Sequence, residues 1–261
     1  MRFFDTHAHY SDKAFTDCGS DMFRSFIDSL FADSVCAIIN VGSNPDNSEI
    51  CLNQSRQWER MYAAVGIHPT ECYSISDSDS ELSKIRSMLS DPKTVALGEI
   101  GLDYHYEDTD KVKQNDFLRL QMHIAQECSK PVIFHDRDAH GDSLSAVREF
   151  PDVTGVFHCF SGSSETASEL LSLGWYISFT GVITYKNARK IHEVVRSVPD
   201  DRIMIETDCP YLSPEPFRGK VNNSANLVYT AEAMAEIRGT TLEHICDITT
   251  RNALKFFGIT Y

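Results

Sequence analysis

A chain of 261 residues, 42% hydrophobic and 24% charged, can bury a sizeable core, and single-domain α/β barrels occupy this length, so one domain spanning 1–261 is expected. The formal net charge of −14 weighs against broad electrostatic attachment to nucleic acid or to an anionic membrane, while leaving room for a local phosphate pocket. No apolar run has membrane-spanning length, MRFFDTHAHYSDK lacks the features of a secretory signal, and cysteines 18, 36, 51, 72, 128, 159, 209 and 246 form no C-x-x-C pair; reduced thiols in a cytoplasmic protein are expected, with neither a disulfide framework nor a thiolate zinc site.

Along the chain, short β-rich stretches alternate with segments of helical period. The strands are RFFDTH (2–7), VCAIIN (35–40), YAAVGI (62–67), VALGEI (95–100), PVIFH (131–135), GVFHCF (155–160), WYISFT (175–180) and RIMIET (202–207). Helices are predicted near 20–32, 46–59, 79–90, 112–129, 140–149, 164–173, 187–196 and 225–238, with one more near 241–257, and SISDSDSE (74–81) reads as a loop entering a helix cap. Eight strand–helix units predict a closed (β/α)8 TIM barrel. The alternative, an open doubly wound sheet, usually has fewer strands and a glycine-rich nucleotide turn that is missing after the first strand.

The strands repeatedly end in polar residues. His7 and His9 follow the first, His68 the third, His135 the fifth and Asp208 the eighth, while Glu99 lies in the fourth and His158 in the sixth. Singly, each has an ordinary reading: His68 as a loop residue before Pro69, His158 as a core histidine, Glu99 or Asp208 as a cap. Together they fall at the C-terminal end of a barrel, where barrel enzymes build their sites, and His7 and His9 can face one point if the strand continues through them. Convergent imidazoles suggest a metal. His123, His192 and His244 lie within predicted helices and read as packing or surface residues; His140 opens a helix and His105 lies in a loop near the site.

DTHAHY (5–10), VGIHP (65–69), LGEIGLDYHYED (97–108), PVIFHDRDA (131–139), VFHCFSG (156–162), ETDCPYLSP (206–214) and RGKVNN (218–223) together resemble the TatD family of metal-dependent deoxyribonucleases, within the wider amidohydrolase-like group. The resemblance implies a TIM-barrel hydrolase with two divalent metal ions. It implies that Glu99 bridges them, that His7, His9 and Asp208 hold one, and that His135 and His158 hold the other. The chain departs from the family pattern at RGKVNNS, which lacks a second basic residue at Val221 and an acid and proline after Asn222. The resemblance points to Mg²⁺, whereas four imidazoles suit Zn²⁺ or Mn²⁺ better.

On this reading Asp208 is both ligand and general base, and His68, Arg137, Arg218 and Lys220 are candidate phosphate contacts. Strand parity places Asp5 and Glu206 two residues before His7 and Asp208 on the same faces, as partners that orient ligands or water, unless they turn to backbone groups; it points Cys159 and Cys209 away from the site. The expected substrate is single-stranded or end-exposed DNA, attacked from the 3′ side, with no membrane and no obligate protein partner. The alternative is an amidohydrolase-type enzyme cleaving an amide or ester, such as an aminoacyl bond.

Overall fold

The computed structural model describes residues 1–260. Eight parallel strands, β1 (Phe3–Ala8), β2 (Val35–Val41), β3 (Met61–Val65), β4 (Thr94–Asp103), β5 (Val132–Arg137), β6 (Gly155–Phe157), β7 (Tyr176–Phe179) and β8 (Ile203–Ile205), pair in sequence order. Around them lie α1 (Lys13–Thr16), α2 (Ser20–Asp33), α3 (Pro45–Ser55), α4 (Ser78–Met88), α5 (Lys111–Cys128), α6 (His140–Glu149), α7 (Ser164–Ser172), α8 (Arg189–Ser197), α9 (Leu227–Arg238) and α10 (Leu242–Phe257). This is the TIM barrel expected from the strand–helix alternation. Among the described residues no helix is long and apolar enough to cross a membrane.

The strands are apolar runs because both of their faces are covered. Phe4, Ile39, Ala64, Ala96, Ile133, Val156, Tyr176 and Met204, one from each strand, form a buried cluster with Phe256, Phe257 and Ile259, so the interior is packed and the end of α10 closes it. Helix starts follow local capping chemistry: Asn44, Asp77, Asp110, Ser163 and Thr241 each accept a backbone N–H in the first turn of the following helix. The short α1, which the sequence pattern did not reveal, is capped in the same way by Asp12. On the inner face of α5, Gln121 bonds both the N–H and the C=O of Ile67, and Gln114 does the same for Asp103, fixing the ends of β3 and β4 to that helix.

The barrel closes between β1 and the residues just beyond β8. Asp208 N donates to His7 O at 2.9 Å and His9 N to Cys209 O at 2.8 Å, around a single bridge between Ala8 and Cys209. Asp5, fully buried, fastens this seam: its carboxylate accepts from Thr207 N (3.0 Å), Thr207 Oγ1 (2.6 Å), Ser224 Oγ (2.6 Å) and, more weakly, His7 N (3.4 Å). Asn222, from the RGKVNNS segment, adds bonds to Thr207 O and Tyr211 O.

Four strands are shorter than the sequence suggests, β3 ending at Val65, β6 at Phe157, β7 at Phe179 and β8 at Ile205; soon after β6 and β8 the chain turns left-handed, at Cys159 (φ 42°) and Asp208 (φ 56°). β1 is irregular between Asp5 and Ala8 as well. A register break shifts which residues face inward, and here it separates Asp5 from the face that His7 occupies. The expectation that Asp5 orients a ligand imidazole is therefore corrected: it bonds the backbone and hydroxyls of the seam.

Asp5→Ala leaves these buried donors without their acceptor and should destabilise the metal-stripped protein by roughly 2–3 kcal/mol in urea denaturation. Burial raises the Asp5 pKa from 3.8 to about 6. A raised folded-state value makes its contribution complete below the unfolded pKa and lessens it as the pH climbs through 6. The gap between wild type and variant should accordingly be wider at about pH 5 than at pH 7.

Candidate metal centre

Glu99 reaches the centre through a local irregularity in β4, whose pairing with β5 shifts register between Leu97 and Ile100. The flanking glycines allow it. Gly98 and Gly101 have φ of 153° and 148°, and a Cβ on Gly101 would lie 1.9 Å from His135 O, so only glycine lets β4 approach β5 this closely.

The two oxygens of Glu99 serve different neighbours. Oε1 lies 2.6 Å from His135 Nδ1 and 2.7 Å from His158 Nε2; Oε2 lies 3.4 Å from His7 Nε2 and 3.8 Å from His9 Nε2. Asp208 Oδ1 completes the second side, 3.2 Å from His9 Nε2 and 3.7 Å from His7 Nε2. All six residues that the family resemblance assigns as ligands thus meet at one place, at the C-terminal end of the strands.

Whether these residues suit a divalent cation depends on where their lone pairs point. His9 Nδ1 donates to Val41 O at 3.0 Å, His158 Nδ1 faces Glu206 Oε1 at 3.3 Å, and His135 Nε2 faces Asp103 Oδ2 at 3.3 Å. With these three outer nitrogens held by acceptors, the inner nitrogens of His9, His158 and His135 present their lone pairs inward, and the His135–His158 contact of 3.1 Å is unfavourable unless a proton or a cation lies between them; the buried Nδ1 of His7 has no hydrogen-bond partner among the described residues, so that ring can instead donate from Nε2 to His9 at 3.1 Å. The donor set fits a metal. His68 is different. Its Nε2 lies 3.5 Å from Glu99 Oε1, but its Nδ1 faces Thr70 N, which can only donate, at 3.2 Å, and Thr70 Oγ1, which can donate as well, at 2.7 Å; this surrounding favours the tautomer that carries its proton on Nε2 and makes that inner nitrogen a donor.

In the metal-free protein, protons compete for the same positions. Burial alone would push His158 down, but the charge of Glu99 and the bonds to Glu206 and Glu99 hold it well above the ordinary imidazole value. His135 is likewise raised against burial by Asp103 and Glu99, and His9 by Asp208. Glu99 shows the converse: burial disfavours its charge, yet the surrounding imidazoles hold it well below the carboxylate range. His7 and His68 are lowered, chiefly by burial.

Of the two carboxylates expected behind the ligands, Glu206 does face an imidazole, that of His158, and also accepts from Cys159 N at 2.6 Å. Asp103, behind His135, was missed by the sequence reading, although it stands in the GEIGLD motif. Only the pairing of β4 with β5, which sets Gly101 opposite His135 and Asp103 opposite Arg137, brings it there.

His68, Glu99 and Asp208 line a chamber of about 290 Å³. Arg137 lines an adjoining cavity, with Nη1 3.9 Å from Asp103. Arg218 and Lys220 are exposed and stand over Tyr185 and Phe217, outside both spaces. Two cations that the sequence reading passed over, Arg189 and Lys190 at the start of α8, line the adjoining cavity instead. Cys209 packs among apolar residues, but Cys159 lines the cavity beside His158, since its left-handed backbone breaks the assumed alternation. The other histidines lie away from the cluster: His140 pairs with Asp136, His105 with Asp138, His192 with Ile183 O and His244 with Asp200, and His123 packs on Phe150.

A (β/α)8 barrel with a buried glutamate shared by two sets of imidazoles at its C-terminal end is the arrangement of a metal-dependent hydrolase. The chain belongs to the TatD family, for the family model described as TatD related DNase matches residues 4–258. It is 39% identical over 258 residues to the uncharacterized metal-dependent hydrolase YabD of Bacillus subtilis, covering 98% of this chain and 99% of that one. It is also 41% identical over 203 residues to the uncharacterized metal-dependent hydrolase YcfH of Escherichia coli, covering 77% and 75%. The crystal structure of YjjV, a TatD homolog from Escherichia coli, superposes with a TM-score of 0.90 at 29% identity over 99% of each chain.

Glu99→Gln should lose bound metal while keeping its far-UV circular dichroism, because an amide cannot supply the shared negative charge; metal analysis after dialysis reads this directly. His68→Ala should keep the full metal content, and loss of metal from it would place His68 among the ligands. Asp103→Asn should weaken metal binding about 10–100-fold in a competitive chelator titration, through loosened orientation of His135.

Proposed function

We propose that the protein is a deoxyribonuclease that removes nucleotides from the 3′ end of single-stranded DNA with the help of two divalent ions. The observation that carries this reading is the division of one carboxylate between two donor sets, beside a cavity lined by Arg137, Arg189 and Lys190 in a chain of net charge −14. His7, His9 and Asp208 would hold one ion and His135 and His158 the other. Four imidazoles with two carboxylates favour Zn²⁺ or Mn²⁺ over the oxygen-preferring Mg²⁺. When bound, such ions supply polarisation of a phosphoryl oxygen and a water that releases its proton near neutral pH.

The side chains supply the rest. Burial works against the charge of Asp208, but the bond from His9 and the neighbouring imidazoles hold its pKa below the ordinary value, so it is ionised at neutral pH and accepts the proton of the attacking water. The water oxygen bonds to phosphorus as the bond to the upstream O3′ breaks. The products are a nucleoside 5′-monophosphate and a shorter strand whose O3′ takes a proton from solvent. His68 is suited to donate its Nε2 proton to a phosphoryl oxygen, and needs no positive charge to do so. Arg137, at the cavity, can pair with a further phosphate oxygen. A centre sunk at the mouth of a barrel admits a flexible terminus more readily than a stiff duplex, and an acidic surface repels the remaining polymer.

A 5′-labelled single-stranded oligonucleotide, incubated with the protein and Mn²⁺, Zn²⁺ or Mg²⁺ in turn, should give products shortened from the 3′ end, while a circular single strand stays whole. Asp208→Asn should lower kcat about 10²–10⁴-fold. Cleavage of an aminoacyl ester with the oligonucleotide left intact would reject the nuclease reading in favour of amide or ester hydrolysis. With few phosphates neutralised, binding to the Asp208→Asn protein, checked first for metal, should fall only gently with salt, unlike the steep slope of proteins that make about 6–10 phosphate contacts.

A further inference from the structure

Among the described residues, the buried side-chain nitrogen and oxygen atoms without a hydrogen-bond partner are His7 Nδ1, Glu206 Oε2 and the hydroxyls of Thr94 and Thr250. The first two border one imidazole. Glu206 turns its other oxygen, Oε1, to His158 Nδ1 at 3.3 Å, and the His7 ring stacks on the His158 ring with centroids 4.1 Å apart and planes 15° apart. His7 is fully buried and Glu206 is 1% exposed, so bulk solvent reaches neither. Their surroundings are polar as well as buried: the hydroxyls of Thr6 and Ser178 lie 3.4 Å apart beside the peptide that joins Ile205 to Glu206, with Thr6 Oγ1 donating to Ile205 O at 3.0 Å.

We infer that a buried water joins Glu206 Oε2 to His7 Nδ1 behind the metal centre, so that this one carboxylate positions a ligand on each side of Glu99; the inference rests on the two-ion reading above. His7 Nε2 faces Glu99 and Asp208, and it can bind a cation only through its lone pair, which leaves the ring proton on Nδ1. That buried N–H needs an acceptor. Both oxygens of Glu99 already face imidazoles, and the carboxylate of Asp5 takes the donors of the seam. Glu206 Oε2 is the buried acceptor that remains. It lies beyond direct hydrogen-bond range of His7 Nδ1, a gap that one water closes by accepting from the ring N–H and donating to the carboxylate. Glu206 is then a positioning residue for His158 through Oε1 and for His7 through Oε2. Asp103, which among the ligands orients His135 alone, is its one-sided counterpart.

Long-range proton–nitrogen NMR spectra of the histidine-labelled protein at saturating Zn²⁺, with His7 assigned by its loss in His7→Gln, locate the ring proton without relying on turnover. Wild type and Asp103→Asn should show a slowly exchanging Nδ1 proton on His7 that cross-relaxes with a bound water, and Glu206→Leu should lose that signal to exchange. A proton on His7 Nε2, or a signal that survives Glu206→Leu, overturns the inference. In a competitive chelator titration Glu206→Leu should weaken both zinc ions about 10–100-fold, where Asp103→Asn weakens chiefly one. A loss confined to one ion in Glu206→Leu would mean that Glu206 serves His158 alone, and overturns the inference as well. If the wild type binds a single zinc ion, the two-ion reading fails, and the His7 signal still decides the bridge. Should the leucine variant fail to fold, a crystal structure of the zinc-loaded wild type decides: an ordered water within hydrogen-bond distance of both Glu206 Oε2 and His7 Nδ1 is expected, and a site without it refutes the bridge.

Discussion

Closure of the barrel between β1 and residues 207–209 is the constraint on which the site depends. His7 and His9 lie on one side of that seam and Asp208 on the other, and two backbone bonds hold them in register. The seam is too short to be secured by ladder pairing alone, with only one bridge. A buried carboxylate, Asp5, does what further ladder bonds would do in a longer strand. Its charge is costly in that environment, as its raised pKa records, and the bonds from Thr207 and Ser224 offset much of the cost. Ser224 follows Asn222, which also bonds to the seam, so the segment that departs from the usual family pattern is a structural brace for the site.

The centre itself is a balance of opposite charges at short range. Glu99 is almost fully buried, and the imidazoles around it are what make its ionised form tolerable. Three of the imidazoles of the cluster, those of His9, His158 and His135, take a fixed orientation from Val41 O, Glu206 and Asp103 outside. The inner ring nitrogens are thereby set before any cation arrives, so little reorganisation is required on binding. His68 shows how one bond changes a role: with Thr70 N donating to its Nδ1, a histidine at ligand distance becomes a hydrogen-bond donor to its surroundings.

Local charge and total charge point in opposite directions. The chain is acidic, yet Arg137, Arg189 and Lys190 gather along the adjoining cavity, and divalent cations at the centre would reverse the sign of the charge there.

The sequence by itself determined the eightfold alternation of strand and helix and the seven polar residues at strand ends, six of which the family resemblance singled out as ligands. Both signals are local: apolar runs and helical periods are written in neighbouring residues, and in a parallel barrel every strand end faces the same way, so polar residues at strand ends are brought together by topology alone. Tertiary structure decided what depends on register and backbone twist. The irregularity in β1 sent Asp5 to the seam, the β4–β5 pairing placed Asp103 behind His135, and left-handed residues at Cys159 and Asp208 ended the alternation from which side-chain direction had been inferred. Arg189 and Lys190 reached the cavity, and Arg218 and Lys220 did not, because the path of a loop is set by its packing against distant elements. Such placements are sums over contacts far apart in the chain, and a one-dimensional pattern carries no record of them.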